Sequence, residues 1–137
     1  MIVDILSDLH LDFYFKTHLT TLENVSSFFE PIFTNNGTRA IGDVLIIAGD
    51  IGHYNAQNIE VLKIIQKKFY KYIICVLGNH DYYLVNGEAR YSFENNSFNR
   101  VENLRKLINK EKNIYCLNGD IVEIDGIKFG GCDSWYD

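Results

Sequence analysis

The chain is poor in the residues that mark several protein classes. It has a single proline among 137 residues, against nine phenylalanines and nine tyrosines. Disordered chains have the reverse balance, because they lack apolar material to offset the entropy of ordering. Its three cysteines, Cys75, Cys116 and Cys132, are far apart and form no C-x-x-C pair. That spacing argues against a zinc ribbon or a disulfide framework, and reads as reduced, buried thiols in a cytoplasmic protein. No apolar run approaches the roughly 20 residues of a membrane span. Met1-Ile2-Val3-Asp4 also lacks the basic-then-apolar order of a signal peptide. Positive charge is in deficit, with 13 Lys and Arg against 18 Asp and Glu and a net charge of −5. A broad nucleic-acid or anionic-membrane footprint needs the opposite sign. A small phosphate-bearing substrate held through metal ions is still compatible with it.

What is present fits one α/β domain spanning 1–137. Ile2 to Leu6 is a short β-branched strand. Residues 19–33 have helical periodicity interrupted by Pro31. Asp43 to Ala48 is an almost continuous apolar run, too short for most helices, and reads as a central buried strand. Residues 55–69 predict an amphipathic helix with Asn55 as its N-cap, and Tyr72 to Leu77 a second buried strand. Residues 97–110 predict another helix, with Val101, Leu104, Leu107 and Ile108 on one face. Three short strands follow, Ile114–Leu117, Ile121–Ile124 and Ile127–Gly130. Asp125-Gly126 makes a tight hairpin of the last two. Strands alternating with helices imply a parallel sheet.

Polar residues cluster where the first three strands end: Asp8-x-His10, Gly49-Asp50 and Gly78-Asn79-His80-Asp81. In open parallel sheets, sites form beyond the carboxyl ends of the strands. The intervals of 42 residues from Asp8 to Asp50 and 29 from Asp50 to Asn79 are each about one β-α-β repeat. Neighbouring strands would therefore bring all three clusters to one rim. Carboxylate, imidazole and amide oxygen suit Mn²⁺, Fe²⁺ or Zn²⁺. The glycines before Asp50 and Asn79 would allow close backbone approach in a crowded site. His53 shares the loop of Asp50 and is a candidate to touch a substrate, whereas His18 reads as exposed.

These motifs resemble the calcineurin-like metallophosphoesterase family, which carries D-x-H, G-D and G-N-H-[DE] after successive strands. The surrounding stretches ILSDLHLDF, DVLIIAGDIG and VLGNHDYY, and the late segment from Ile127 to Trp135, are similar too. The resemblance implies an α/β/β/α sandwich and a site for two divalent ions. Asp8 and His10 would bind the first ion, Asp50 would bridge both, and Asn79 would bind the second. His80 would stand beside the phosphate, stabilising it or protonating the leaving oxygen, and Asp81 would orient its loop. Two ions roughly 3.5–4 Å apart clamp phosphoryl oxygens and acidify a bridging water for in-line attack. The implied substrate is a phosphate mono- or diester.

The sequence departs from the family pattern twice. Many relatives place a second Asp three residues after the bridging one, paired with the catalytic histidine; here that position is His53. The family also completes its site with a later His and a Gly-His-x-His, and no histidine follows His80. The chain therefore reads as the N-terminal portion of a phosphoesterase domain, lacking part of the second sheet and impaired as an enzyme. A homodimer through an exposed sheet edge, or a C-terminal half, would be its partner. A second reading is a non-catalytic interaction module, suggested by Phe13, Tyr14, Phe15, Tyr82 and Tyr83 as surface aromatics. An aspartyl phosphotransferase fits less well, since Asp-x-Asp rather than Asp8-x-His10 would be usual. A dinucleotide-binding fold would need a glycine-rich turn after the first strand.

Overall fold

A computed structural model describes residues 1–133. Four parallel strands form its central sheet in the order β1 (Val3–Leu6), β2 (Val44–Ala48), β3 (Tyr72–Val76) and β4 (Ile114–Cys116). Spatial order follows chain order, so the ends of β1, β2 and β3 lie side by side. Strands β5 (Asp120–Ile124) and β6 (Ile127–Gly131) pair antiparallel in a separate two-stranded sheet. Their turn has positive φ at both Asp125 (50°) and Gly126 (81°), the left-handed pair that matches the twist of a two-residue hairpin.

The helices are α1 (Leu11–Tyr14), α2 (Leu22–Phe33), α3 (Asn55–Lys68), α4 (Gly87–Ser92) and α5 (Ser97–Asn109). One face of the parallel sheet, with Leu45, Ile47, Ile73 and Cys75, is buried against Phe29 and Phe33 of α2, Leu62 and Ile65 of α3, and Leu104 and Ile108 of α5. On the opposite face Val44 and Ile74 pack with Leu117 and Ile124, supported by Val122 and Phe129 of the hairpin. The described residues thus form three layers of the expected sandwich: helices, parallel sheet and hairpin. Coverage of the hairpin face is uneven. Val3 and Ile5 of β1 pair in register with Val44 and Ile46, yet are 38% and 66% exposed.

Several local expectations need correction. Pro31 does not interrupt its helix; α2 runs through it to Phe33. An interior proline costs about 3 kcal/mol or more, and burying Phe29 and Phe33 offsets it with roughly 1.5–3 kcal/mol each. Asn55 is not the cap of α3. It is the first helical residue, and its buried amide donates to the Arg100 carbonyl (2.8 Å) and to Asn103 (2.9 Å), joining α3 to α5. Phe15 is buried rather than exposed, while Phe13, Tyr14 and Tyr83 are exposed and Tyr82 is partly buried. Cys75 and Cys116 are buried but Cys132 is exposed. His18 is exposed as expected. Trp135, the last residue of the late similar segment, lies outside the described residues. Among the described residues no helix is long and apolar enough to cross a membrane.

Candidate metal centre

The rim is built by backbone pairing that continues past the strand ends. The amide of Asp8 donates to the Gly49 carbonyl (3.1 Å), that of His10 to Asp50 (3.0 Å) and that of Leu11 to Ile51 (3.0 Å). The loop after β1 is thereby laced to the loop after β2. Asp8, His10 and Asp50 all take left-handed backbone conformations, with φ of 53°, 44° and 54°. For residues other than glycine such geometry costs roughly 1 kcal/mol or more each and concentrates at functional sites. Here it brings two carboxylates and an imidazole together, with one ligand atom from each lying within 4.8 Å of the others.

The loop after β3 closes on the same spot. The His80 amide donates to Asp50 Oδ1 (2.9 Å), and the His80 ring stands 4.9 Å from that of His10 in an edge-on arrangement. A Cβ at Gly78 would overlap the Asp50 carboxylate, and one at Gly49 would come within 3.0 Å of the Gly78 backbone. Those two glycines are what the crowding demands. Asn79 lies between Gly78 and His80 on a short 3₁₀ turn, Asn79–Tyr82. Its Nδ2 donates to the Tyr83 hydroxyl (2.8 Å), which leaves Oδ1 as the acceptor end of the amide.

Two buried charges hold these loops. Asp81 is fully buried and accepts from the amides of Ile51 (3.0 Å), Gly52 (3.4 Å) and Gly78 (2.9 Å). It orients loops, as expected, and burial raises its carboxyl pKa despite those bonds and the nearby Arg100 cation. Arg100 reaches in from α5 and donates to the carbonyls of His80 (2.9 Å), Tyr83 (3.0 Å) and Gly52 (2.6 Å). Burial lowers its pKa, opposed by Asp81 and Asp12, but a guanidinium stays charged. Asp133, just beyond β6, accepts from the Leu77 amide (3.1 Å) and the Tyr82 hydroxyl (2.6 Å) and pairs with Arg105. The hairpin end is thereby tied to the same loop.

His53 also belongs to the rim. Asp12 accepts from its backbone amide and bonds its Nδ1, both at 3.0 Å. Burial raises the Asp12 carboxyl pKa, but these contacts outweigh it and hold the group below its ordinary value. The His53 ring centre is 5.8 Å from that of His80.

The sequence reading brought Asp8, His10, Asp50, Asn79 and His80 to one rim, but did not single out Arg100, Asp12 or Asp133. A signal for Arg100 was available. It lies four residues before Leu104 and eight before Ile108, on the stripe that faces the core, where an unpartnered cation is not tolerated.

The donor set fits divalent cations. Asp50 is 7% exposed, and its contact with His10 Nε2, at 3.9 Å, is too long for a hydrogen bond. Among the described residues no lysine or arginine pairs with Asp8 or Asp50, and His10 Nδ1 is buried without a hydrogen-bond partner. Two hard oxygen donors with a borderline nitrogen suit Mn²⁺, Fe²⁺ or Zn²⁺ better than a protein cation.

Comparison with known proteins agrees with this chemistry. An uncharacterized protein of Acanthamoeba polyphaga mimivirus is 34% identical over 93 residues, covering 66% of this chain and 31% of that protein. The chain therefore matches about a third of that relative's length. A family model described as calcineurin-like phosphoesterase matches residues 1–136. With that match spanning almost every residue, the chain belongs to the calcineurin-like phosphoesterase family.

Proposed function

We propose that this chain carries the metal-binding rim of a phosphoesterase that hydrolyses phosphate mono- or diesters. The observation that carries the reading is the convergence of Asp8, His10 and Asp50 ligand atoms within 4.8 Å. Asp8 and His10 would hold one divalent ion, Asp50 would bridge two, and Asn79 Oδ1 would serve the second. Such ions supply Lewis acidity toward phosphoryl oxygens and lower the pKa of water. The protein's own contribution is to fix that geometry. Asp50 is anchored by the His80 amide, and the His80 carbonyl by Arg100. His80, held on this loop, would contact a phosphate oxygen and give a proton to the leaving oxygen, a role typically worth 10²–10⁴-fold.

The test is Mn²⁺ binding by calorimetry, followed by hydrolysis of p-nitrophenyl phosphate and bis-p-nitrophenyl phosphate. Binding that Asp50→Ala abolishes, with hydrolysis that depends on Mn²⁺ and on His80, is the expected result. Equal Mn²⁺ affinity in wild type and Asp50→Ala would overturn the reading.

A further inference from the structure

The rim motifs account for Asn79 but leave Tyr83, four residues further on, without a task. Tyr83 is 41% exposed, and a single exposed aromatic needs no explanation by itself. Its position is nevertheless fixed from several sides. The Tyr83 amide donates to the His80 carbonyl (3.2 Å), and its own carbonyl accepts from the buried Arg100 (3.0 Å). Its ring lies 4.8 Å from that of His80, and its hydroxyl oxygen accepts from Asn79 Nδ2 (2.8 Å). The adjacent Tyr82 is used differently: its hydroxyl donates to Asp133 (2.6 Å) and its ring packs against the core. One tyrosine ties the hairpin end to the loop; the next meets the amide of an expected metal ligand.

The asparagine side chain has two unlike ends of similar shape, an acceptor oxygen and a donor nitrogen. Only the oxygen binds a cation, and a half-turn about the last side-chain bond exchanges the two. An acceptor fixed beside the nitrogen selects between them. Among the described residues the Tyr83 hydroxyl is the only hydrogen-bond partner of the Asn79 side chain, and no donor takes Oδ1. Without that hydroxyl, water would serve either end, and the oxygen would face the cation site only part of the time. A ligand whose competent orientation is only partly populated binds more weakly by that fraction.

We propose that Tyr83 is the positioning residue for Asn79: by accepting from Nδ2 it turns Oδ1 toward the divalent ion. The same bond polarises the amide and makes Oδ1 the stronger electron-pair donor. This assignment rests on the phosphoesterase reading for the role of Asn79 as a ligand, whereas the bond between Asn79 and Tyr83 stands without metal.

The experiment has two arms on the full chain. The first needs no metal and records ¹H–¹⁵N spectra of the side-chain amides, with the Asn79 pair identified by its loss in Asn79→Asp. Tyr83→Phe keeps the ring and removes the hydroxyl alone. It should shift the Asn79 pair and speed its exchange with water. Asn79 signals identical in wild type and Tyr83→Phe would overturn the proposal.

The second arm is a double-mutant cycle on Mn²⁺ affinity, measured by calorimetry. Asn79→Asp puts an oxygen at both ends of the side chain, so nothing remains to be oriented. Tyr83→Phe should weaken Mn²⁺ binding about tenfold in the wild-type background, but by less than about twofold in the Asn79→Asp background. Equal changes in the two backgrounds, zero included, would overturn the positioning role, because a merely structural hydroxyl acts alike in both. Absence of Mn²⁺ binding in the wild type would overturn the reading of the rim as a metal centre and this role with it, and the amide spectra would still decide the Asn79–Tyr83 contact.

Discussion

Two aspartates four positions apart, Asp4 and Asp8, are of very different kind. Asp4, on β1, is a closed cluster. One carboxylate oxygen accepts from Arg39 (2.7 Å), and the other from the Tyr70 hydroxyl (2.7 Å) and the Gly42 amide (3.0 Å). Burial pushes its pKa up, but these donors outweigh it and hold the carboxyl below its ordinary value. Asp8, just past the same strand, faces Asp50 and His10 with no lysine or arginine paired to it among the described residues. Asp81 and Arg100 are closed in a similar way, both oxygens of the one and most donors of the other being committed to loop backbone. The contrast teaches that residue type does not separate a structural carboxylate from one aimed at a ligand. Saturation by the protein's own donors does.

The comparison can be broken most forcefully at Arg100. Arg100→Met removes the cation near the buried Asp81 carboxylate and leaves the Tyr83 carbonyl without its donor, while the Gly52 and His80 carbonyls keep only the Asn58 amide and the Tyr83 backbone amide, so unfolding in urea should show a loss of about 3 kcal/mol. A loss under 1 kcal/mol would mean that the clamp does not hold the loops. At Asp4 the expected cost of Asp4→Ala is about 2 kcal/mol, because the Tyr70 hydroxyl, on a residue only 1% exposed, loses its acceptor.

The same residue sets a pH signature. Its folded pKa is depressed, so its stabilisation is fully present above the unfolded carboxylate value near 3.8. It is lost as pH falls through the lower folded value. Acid titration of stability should therefore be shallower in Asp4→Asn than in wild type between pH 4 and pH 2, as orders of magnitude for the window. An unchanged slope would contradict that sign.

The open cluster should respond in the opposite sense. Asp8→Asn removes one of two facing carboxylates and keeps a residue that tolerates the left-handed backbone. The metal-free chain should melt at the same temperature or slightly higher, while Mn²⁺ affinity falls about 10–100-fold. A destabilised metal-free variant would show that Asp8 is structural after all. The smallest effect belongs to the exposed Glu102–Lys106 pair on α5 (2.9 Å). Glu102→Ala should leave the urea midpoint unchanged, and a clear shift of that midpoint would contradict the distinction between exposed and saturated pairs.

Much of the site could be read before folding because its chemistry is written in short strings at the ends of apolar runs. Asp8-x-His10, Gly49-Asp50 and Gly78-Asn79-His80-Asp81 each follow a strand whose apolar pattern is visible by itself, and Asp125-Gly126 announces its own turn. What escaped depends on distant partners. Asn55 looks like a cap in isolation, but Arg100 and Asn103 offer its amide better bonds. Pro31 looks like a helix stop until Phe29 and Phe33 are seen in the core. Phe15 looks as exposed as Phe13 and Tyr14, yet it packs beside Phe28 and Phe29.

The sequence by itself determined the order of the strands and of the longer helices, and the oxygen and nitrogen donors that the rim residues would offer a cation. Those follow from local hydrophobic periodicity and from the kinds of donor atom present. Only the tertiary structure decided which carboxylates are saturated, that Arg100 and Asp81 bind the rim loops together, and that Asp12 commits one nitrogen of His53. Each of these turns on residues more than 15 positions apart meeting in a buried place, where an unpaired polar group is expensive and its partner is chosen by geometry rather than by chain order.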